Sequence, residues 1–182
     1  IGGLRVRPVL PVASAADNAG VIPLFDGEDL QGLTGAGGAE WNVDDDGVLA
    51  GTGAPGALWS ERDDWRNVEV TATVRISAGG RAALCLRAPS AGEQAAGYQV
   101  AINSSHPSAE RTGSVLGLAH VAAQLVPEDT WVELRVRCAD ESGGTRLSVW
   151  LAGVQFVDVL DAERRAARGR IGFVRPHAGS VL

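Results

Sequence analysis

From Asn67 to Ser77 the chain alternates without a break, with Val68, Val70, Ala72, Val74 and Ile76 interleaved by Glu69, Thr71, Thr73, Arg75 and Ser77. A period of two places the first set on a core face and the second in solvent, which an α-helix of period 3.6 cannot do. The same pattern recurs from Val132 to Cys138, where Val132, Leu134, Val136 and Cys138 alternate with Glu133, Arg135 and Arg137. Leu147, Val149 and Leu151 follow, and Ala152-Gly153 makes a tight reversal into Val154 to Val157. That is a hairpin signal.

Shorter strand candidates are Trp41 to Val43, Val48 to Gly51, Leu58 to Ser60, Ala82 to Arg87, Gly97 to Asn103, Ser114 to Leu118 and Ile171 to Arg175. The turn Asp44-Asp45-Asp46-Gly47 joins the first two. Twenty-four glycines and eight prolines in 182 residues suit many short strands joined by turns. One helix of about two turns is expected over Asp161 to Arg168, with Asp161 as N-cap and Gly169 as stop. Val115 to Val126 suits a helix face or a strand followed by a loop, and the second reading is preferred. The expected fold is an all-β, antiparallel two-sheet sandwich. Val68, Val70, Val74, Ile76, Leu134, Val136, Leu147 and Val149 should face inward.

A net charge of −6 argues against nucleic acid as a partner, and no run of 18 apolar residues provides a membrane span. All sixteen basic residues are arginine. Cys85 and Cys138 lie in apolar alternating runs without metal-ligand spacing, so they read as buried free thiols or as one inter-strand bridge. The start of the chain, with Arg5, Arg7 and Val9 to Val12, imitates a signal peptide only faintly, because Pro8 and Pro11 interrupt a short apolar centre. Residues 1–20 read as an N-terminal arm and residues 21–182 as the folded domain.

Several segments, in order, resemble one family. They are Leu24-Phe25-Asp26-Gly27-Glu28-Asp29-Leu30; Trp41 with Val43; Asp46-Gly47-Val48-Leu49 with Gly51; Leu58-Trp59-Ser60; and Trp65 to Ser77. Gly97-Tyr98-Gln99-Val100-Ala101-Ile102, Thr112-Gly113-Ser114, Trp131, Val149-Trp150-Leu151 with Gly153, and Gly169-Arg170-Ile171-Gly172 complete the set. Together they resemble the 3-keto-disaccharide hydrolases, mostly secreted bacterial proteins. The resemblance implies a concanavalin A-like jelly roll, a carbohydrate partner, a secreted or cell-surface location, and cleavage of glycosides oxidised at sugar C3. A C3 ketone acidifies the C2 proton, so a base can remove it and the C1 substituent leaves. Such chemistry requires a base, an acid and often a cation.

The family carries carboxylates on a polar strand where this chain has Gln99, Ala101 and Asn103-Ser104. Amides and hydroxyls are not bases near neutral pH. The expected function is therefore a glycan-binding or assembly module with catalysis lost or reduced. An active 3-keto-glycoside hydrolase is the alternative, with His106 as its base and a divalent metal only in that case; otherwise no cofactor is expected. The competing account of His106 is an exposed loop histidine ahead of Pro107. Arg87, Gln99 and Asn103 are expected to line a concave sheet; among the tryptophans, which mostly read as core, Trp150 points to the opposite face from Val149 and Leu151 and is the candidate sugar platform. His120 and His177 read as ordinary surface or half-buried positions. Asp44, Asp45 and Asp46 read as a solvated turn rather than a calcium site.

Members of the resembled family end on a further strand after the Gly-Arg-Ile-Gly segment, and this chain stops before one. The arm segment Ile1 to Pro8 resembles that strand, with Leu4 and Val6 facing inward. It is expected to complete a sheet within its own chain or in a neighbouring subunit. The second arrangement would link copies head to tail into a filament.

Overall fold

The computed structural model describes residues 3–8, 20–92 and 97–176. Ten strands follow one another: β1 (Leu4–Arg7), β2 (Leu33–Val43), β3 (Leu49–Ser60), β4 (Val68–Ile76), β5 (Arg81–Ala88), β6 (Tyr98–Asn103), β7 (Val132–Glu141), β8 (Gly144–Leu151), β9 (Val154–Asp161) and β10 (Arg170–Arg175). All neighbours are antiparallel, in the order β6-β5-β10-β3-β1-β4-β7-β8-β9, with β2 on the far side of β3. Both the all-β expectation and the concanavalin-like sandwich hold.

The long strand β3 serves both layers. Its second half, Gly56 to Trp59, pairs with β10, and its first half, Leu49 to Gly51, pairs with β1. One layer therefore runs through β10, β5 and β6, and the other through β1, β4, β7, β8 and β9. The β2–β3 hairpin spans the junction. Its turn is built by Asp44, whose Oδ1 accepts from the Asp46 and Val48 amides at 3.1 and 2.9 Å. Gly51 is needed because the Trp41 ring lies over it; a Cβ there would sit 2.5 Å from the ring.

Between the layers lies one continuous core. Leu84, Val100 and Ile102 from the first meet Val74, Leu134, Val136, Leu147 and Val149 from the second, with Val68 and Val70 packed at its margin. Alternation explains this directly, since the named residues on any one strand are an even number of positions apart. The β8–β9 reversal is also as expected, with Ala152 and Gly153 both left-handed at φ 47° and 79°, the geometry of a type I′ hairpin.

Strand β1 lies inside the sheet, antiparallel to both β3 and β4, with Leu4 opposite Gly51 and Ile76. Leu4 and Val6 are buried in the core.

The expected helix over Asp161 to Arg168 is absent. Asp161 does cap the local backbone, accepting from the Glu163 and Arg165 amides, but Arg164 turns left-handed at φ 53° and ends the turn at once. Gly169, instead of stopping a helix, forms a β-bridge with Trp65. Residues 112–118 form turns on either side of Val115, which makes isolated β-bridges with Val100 and Ala119, while the Gly113 amide donates to Ala101 O and the Leu116 amide to Gln99 O. The expected strand over Ser114 to Leu118 is thus reduced to the bridges of Val115, and Val115 to Val126 forms turns and loop, with neither a helix nor a strand.

Both cysteines are buried and neither forms a disulfide among the described residues. Cys138 is in the central core, and Cys85 belongs to a second buried cluster on the opposite face of the first layer, with Ala57, Trp59, Ala83, Ala88 and Val174.

Candidate functional site

The residues expected to line a sheet face do not converge. Arg87 lies inside the protein. Between β5 and β10 the pairing slips, so that three steps on β5 match two on β10 (Cys85 to Ala88 against Gly172 to Arg170). Arg87 occupies this bulge with φ 56°. A bulge re-aims the side chain it carries, and here the guanidinium is turned off the outer face and fully buried. Its Nε donates to Arg66 O at 2.8 Å, and its Nη1 reaches Asp140 Oδ1 (2.9 Å), Ala166 O (3.0 Å) and Thr145 Oγ1 (3.3 Å). Arg66 also pairs with Asp140, at 2.6 Å. Hydrogen bonds from Arg66, Arg87 and Thr145 hold the Asp140 carboxyl far below the usual carboxylate range, against a smaller opposing effect of burial. This is an interior ion pair with its donors occupied, and it offers nothing to a ligand.

Trp150 lies on the other layer, half-buried on β8, with the Arg135 guanidinium 4.2 Å from its ring centroid. One indole face is thus already covered. Gln99 and Asn103 are on the same strand but four residues apart, about 13 Å along an extended chain. Gln99 is opposite Cys85, and its Oε1 is buried without a hydrogen-bond partner in the described structure.

Asn103 has a different task. It is buried at the end of β6 and holds the following loop: its Oδ1 accepts from the His106 amide at 2.9 Å, and its Nδ2 donates to Glu110 O at 2.7 Å. The loop so fixed carries His106, Glu110 and Arg111, and brings them beside Arg81 and His120. Arg111 Nη1 donates to His106 O at 2.6 Å. The Ser108 hydroxyl donates to Glu110 Oε2 at 2.7 Å and, with weaker help from His120 and Arg81, holds that carboxyl below its ordinary value. Burial, then the charges of Arg81 and Arg111, push the His106 imidazole below its ordinary value. Glu110 and His120 also line an open depression of about 290 Å³, together with Val115, Gly117, Leu118 and Ala119.

The state of His106 decides what this cluster can do. The Ser108 amide donates to its Nδ1 at 3.1 Å. A neutral ring that accepts at Nδ1 carries its proton on Nε2. The basic lone pair is therefore occupied, and the remaining nitrogen is a donor. A carboxylate at the edge of an open depression, with a neutral imidazole donor and arginines on the adjoining loop and strand, suits hydroxyl groups, which both donate and accept.

Sequence reading identified His106, and noted His120 without a role, but missed Arg81, Glu110 and Arg111. No periodic pattern marks them, because a loop folded by a single asparagine brings them together. The only clue was the density of polar residues between Asn103 and Thr112. His177 lies outside the described residues. Asp44 commits Oδ2 to Arg5 at 3.1 Å, and among the described residues no three His, Cys, Asp or Glu side chains cluster as metal ligands.

Residues 20–181 match the 3-keto-alpha-glucoside-1,2-lyase-like domain. The chain belongs to that family. No curated protein is similar enough to match. Among solved structures, the carbohydrate-binding module CBM66 from Bacillus subtilis superposes with a TM-score of 0.59 at 15% identity, covering 82% of this chain and 90% of its own. The Emp46p carbohydrate recognition domain, in its potassium-bound form, gives 0.51 at 14% identity, covering 80% and 82%. At these identities the likeness concerns the fold.

Proposed function

We propose that this member of the 3-keto-alpha-glucoside-1,2-lyase-like family is a secreted or cell-surface glycan-binding module in which catalysis is lost or reduced. Its ligand would lie on the Arg81–His106–Glu110–His120 cluster. The observation that carries this reading is the hydrogen bond from the Ser108 amide to His106 Nδ1, which occupies the only basic lone pair of a neutral ring. On β6, Gln99, Ala101 and Asn103 offer no carboxylate to replace it. Glu110 is hydrogen-bonded by Ser108 and held ionised, which suits accepting from sugar hydroxyls more than proton transfer at C2.

Two assays decide the matter. In a glycan-array screen the wild-type protein should retain particular glycans, and Glu110→Gln should weaken the strongest of them about tenfold, the loss expected for one charge-assisted hydrogen bond. Incubation with 3-keto glycosides, with and without divalent metal, should release no free sugar. Release that His106→Ala abolishes would establish the hydrolase instead.

A further inference from the structure

The position of β1 implies a second kind of partner. Strands β3 and β4 do not pair with each other; β1 lies between them and pairs with both. It is the strand that joins β3, which serves both layers, to the rest of the second layer. The polar and ring partners of the β1 segment are Asp44, Ser77 and Trp131, and its cross-strand neighbours are Leu49 to Gly51 and Thr73 to Ile76. Leu4 and Val6 enter the core. Arg5 pairs with Asp44 at 3.1 Å, and Arg7 stacks 4.3 Å from the Trp131 centroid. Ser77 grips the strand's start, its Oγ accepting from the Gly3 amide at 2.6 Å and donating to Gly3 O at 3.0 Å. The slot therefore reads small, apolar, basic, apolar, basic, from both edges at once.

None of these contacts depends on which molecule supplies the strand. From Pro8 to Gly20 the chain can reach about 40 Å when extended, enough for its own slot or a neighbour's. We propose that the space between β3 and β4 is an exchangeable strand-binding slot, and that its other occupant is the Leu4–Arg7 strand of a second copy of this chain. The match between Arg5 and Asp44, Arg7 and Trp131, and the two apolar side chains and the core selects this segment over an unrelated peptide. Reciprocal exchange closes a dimer; one-way donation leaves a free slot and a free strand at the two ends, and so continues into a filament. The proposal stands whether or not the chain binds a glycan.

Arg5 and Arg75 are direct cross-strand partners on the solvent side of β1 and β4, at a spacing that a disulfide bridges. Arg5→Cys protein, mass-tagged, is mixed with untagged Arg75→Cys protein under mild oxidation across a range of concentrations. The buried Cys85 and Cys138 leave the background low. Exchange gives a mixed covalent dimer that rises with concentration and exceeds, at least tenfold, that formed by Arg5→Cys with Arg137→Cys, an exposed position on β7. The Arg5→Cys/Arg75→Cys double variant reports the competing arrangement. If it cross-links entirely within one chain, and the mixed pair never exceeds the control at any concentration, the strand is not exchanged and the proposal is overturned.

Discussion

Asp140 shows how a single carboxylate can matter more than its exposure suggests. It neutralises Arg87, whose side chain is fully buried, and takes hydrogen bonds from Arg66 and Thr145 as well. Removing one partner of such a pair leaves an uncompensated charge in the interior, a loss of about 3 kcal/mol. Asp140→Asn should therefore lower the stability by about that amount, measured by urea unfolding at pH 7. The pH dependence has a definite sign. The folded-state pKa is depressed, so the contribution is complete above the ordinary carboxylate range and disappears as pH falls through the folded value. Acid destabilisation below about pH 4 should be shallower in Asp140→Asn than in the wild type. Cys138 gives a second residue-level test. Burial pushes its thiol up to about 11, and both cysteines are enclosed, so a thiol reagent at pH 8 should label neither until the protein is unfolded.

At the level of elements, the alternating strands were legible and the glycine-rich ones were not. β4 and β7 announce themselves because side-chain burial dictates their pattern. The first half of β2, Leu33 to Ala39, carries almost no apolar alternation, and the stretch Thr52 to Gly56 of β3 is similarly bland. Both are strands because β2 and β3 pair along the hairpin on either side of a register shift between Gly37 and Ala39, which is information held by the partner strand and not by local sequence. Arg87 was misplaced for a related reason: strict alternation assigns it to the outer face, and the bulge opposite Arg170 and Gly172 inverts it. The cluster around His106 was half-legible, since one residue of it could be named but not the loop geometry that assembles the others. β9 carries a further prediction. It ends the strand order, and Phe156 and Leu160 are exposed on it. Edge strands with apolar side chains invite association, so Phe156→Lys with Leu160→Lys should reduce aggregation at high concentration. The melting temperature should change little, because neither side chain is buried.

For the whole molecule, the decisive feature is that two layers share β3 on one side and depend on β1 on the other. Leu4 and Val6 each bury an aliphatic side chain, worth about 2 kcal/mol apiece, and the hydrogen bonds on both edges of β1 add to that. Deletion of residues 1–9 should cost roughly 4 kcal/mol or more, read as a lower urea midpoint. A truncated protein with an unchanged midpoint would show that the strand contributes nothing to the fold. This dependence has a kinetic consequence. Four of the pairings join strands adjacent in sequence, β2–β3, β5–β6, β7–β8 and β8–β9, and these can close early because little chain is looped out. β1 must find β3 and β4 after both exist, across separations such as the 74 residues between Gly3 and Ser77. Refolding should then finish with a distinct late phase. In pulsed hydrogen exchange, amides of β3 near Ala50 and of β4 near Val74 should become protected together in that phase, after those of β7 and β8.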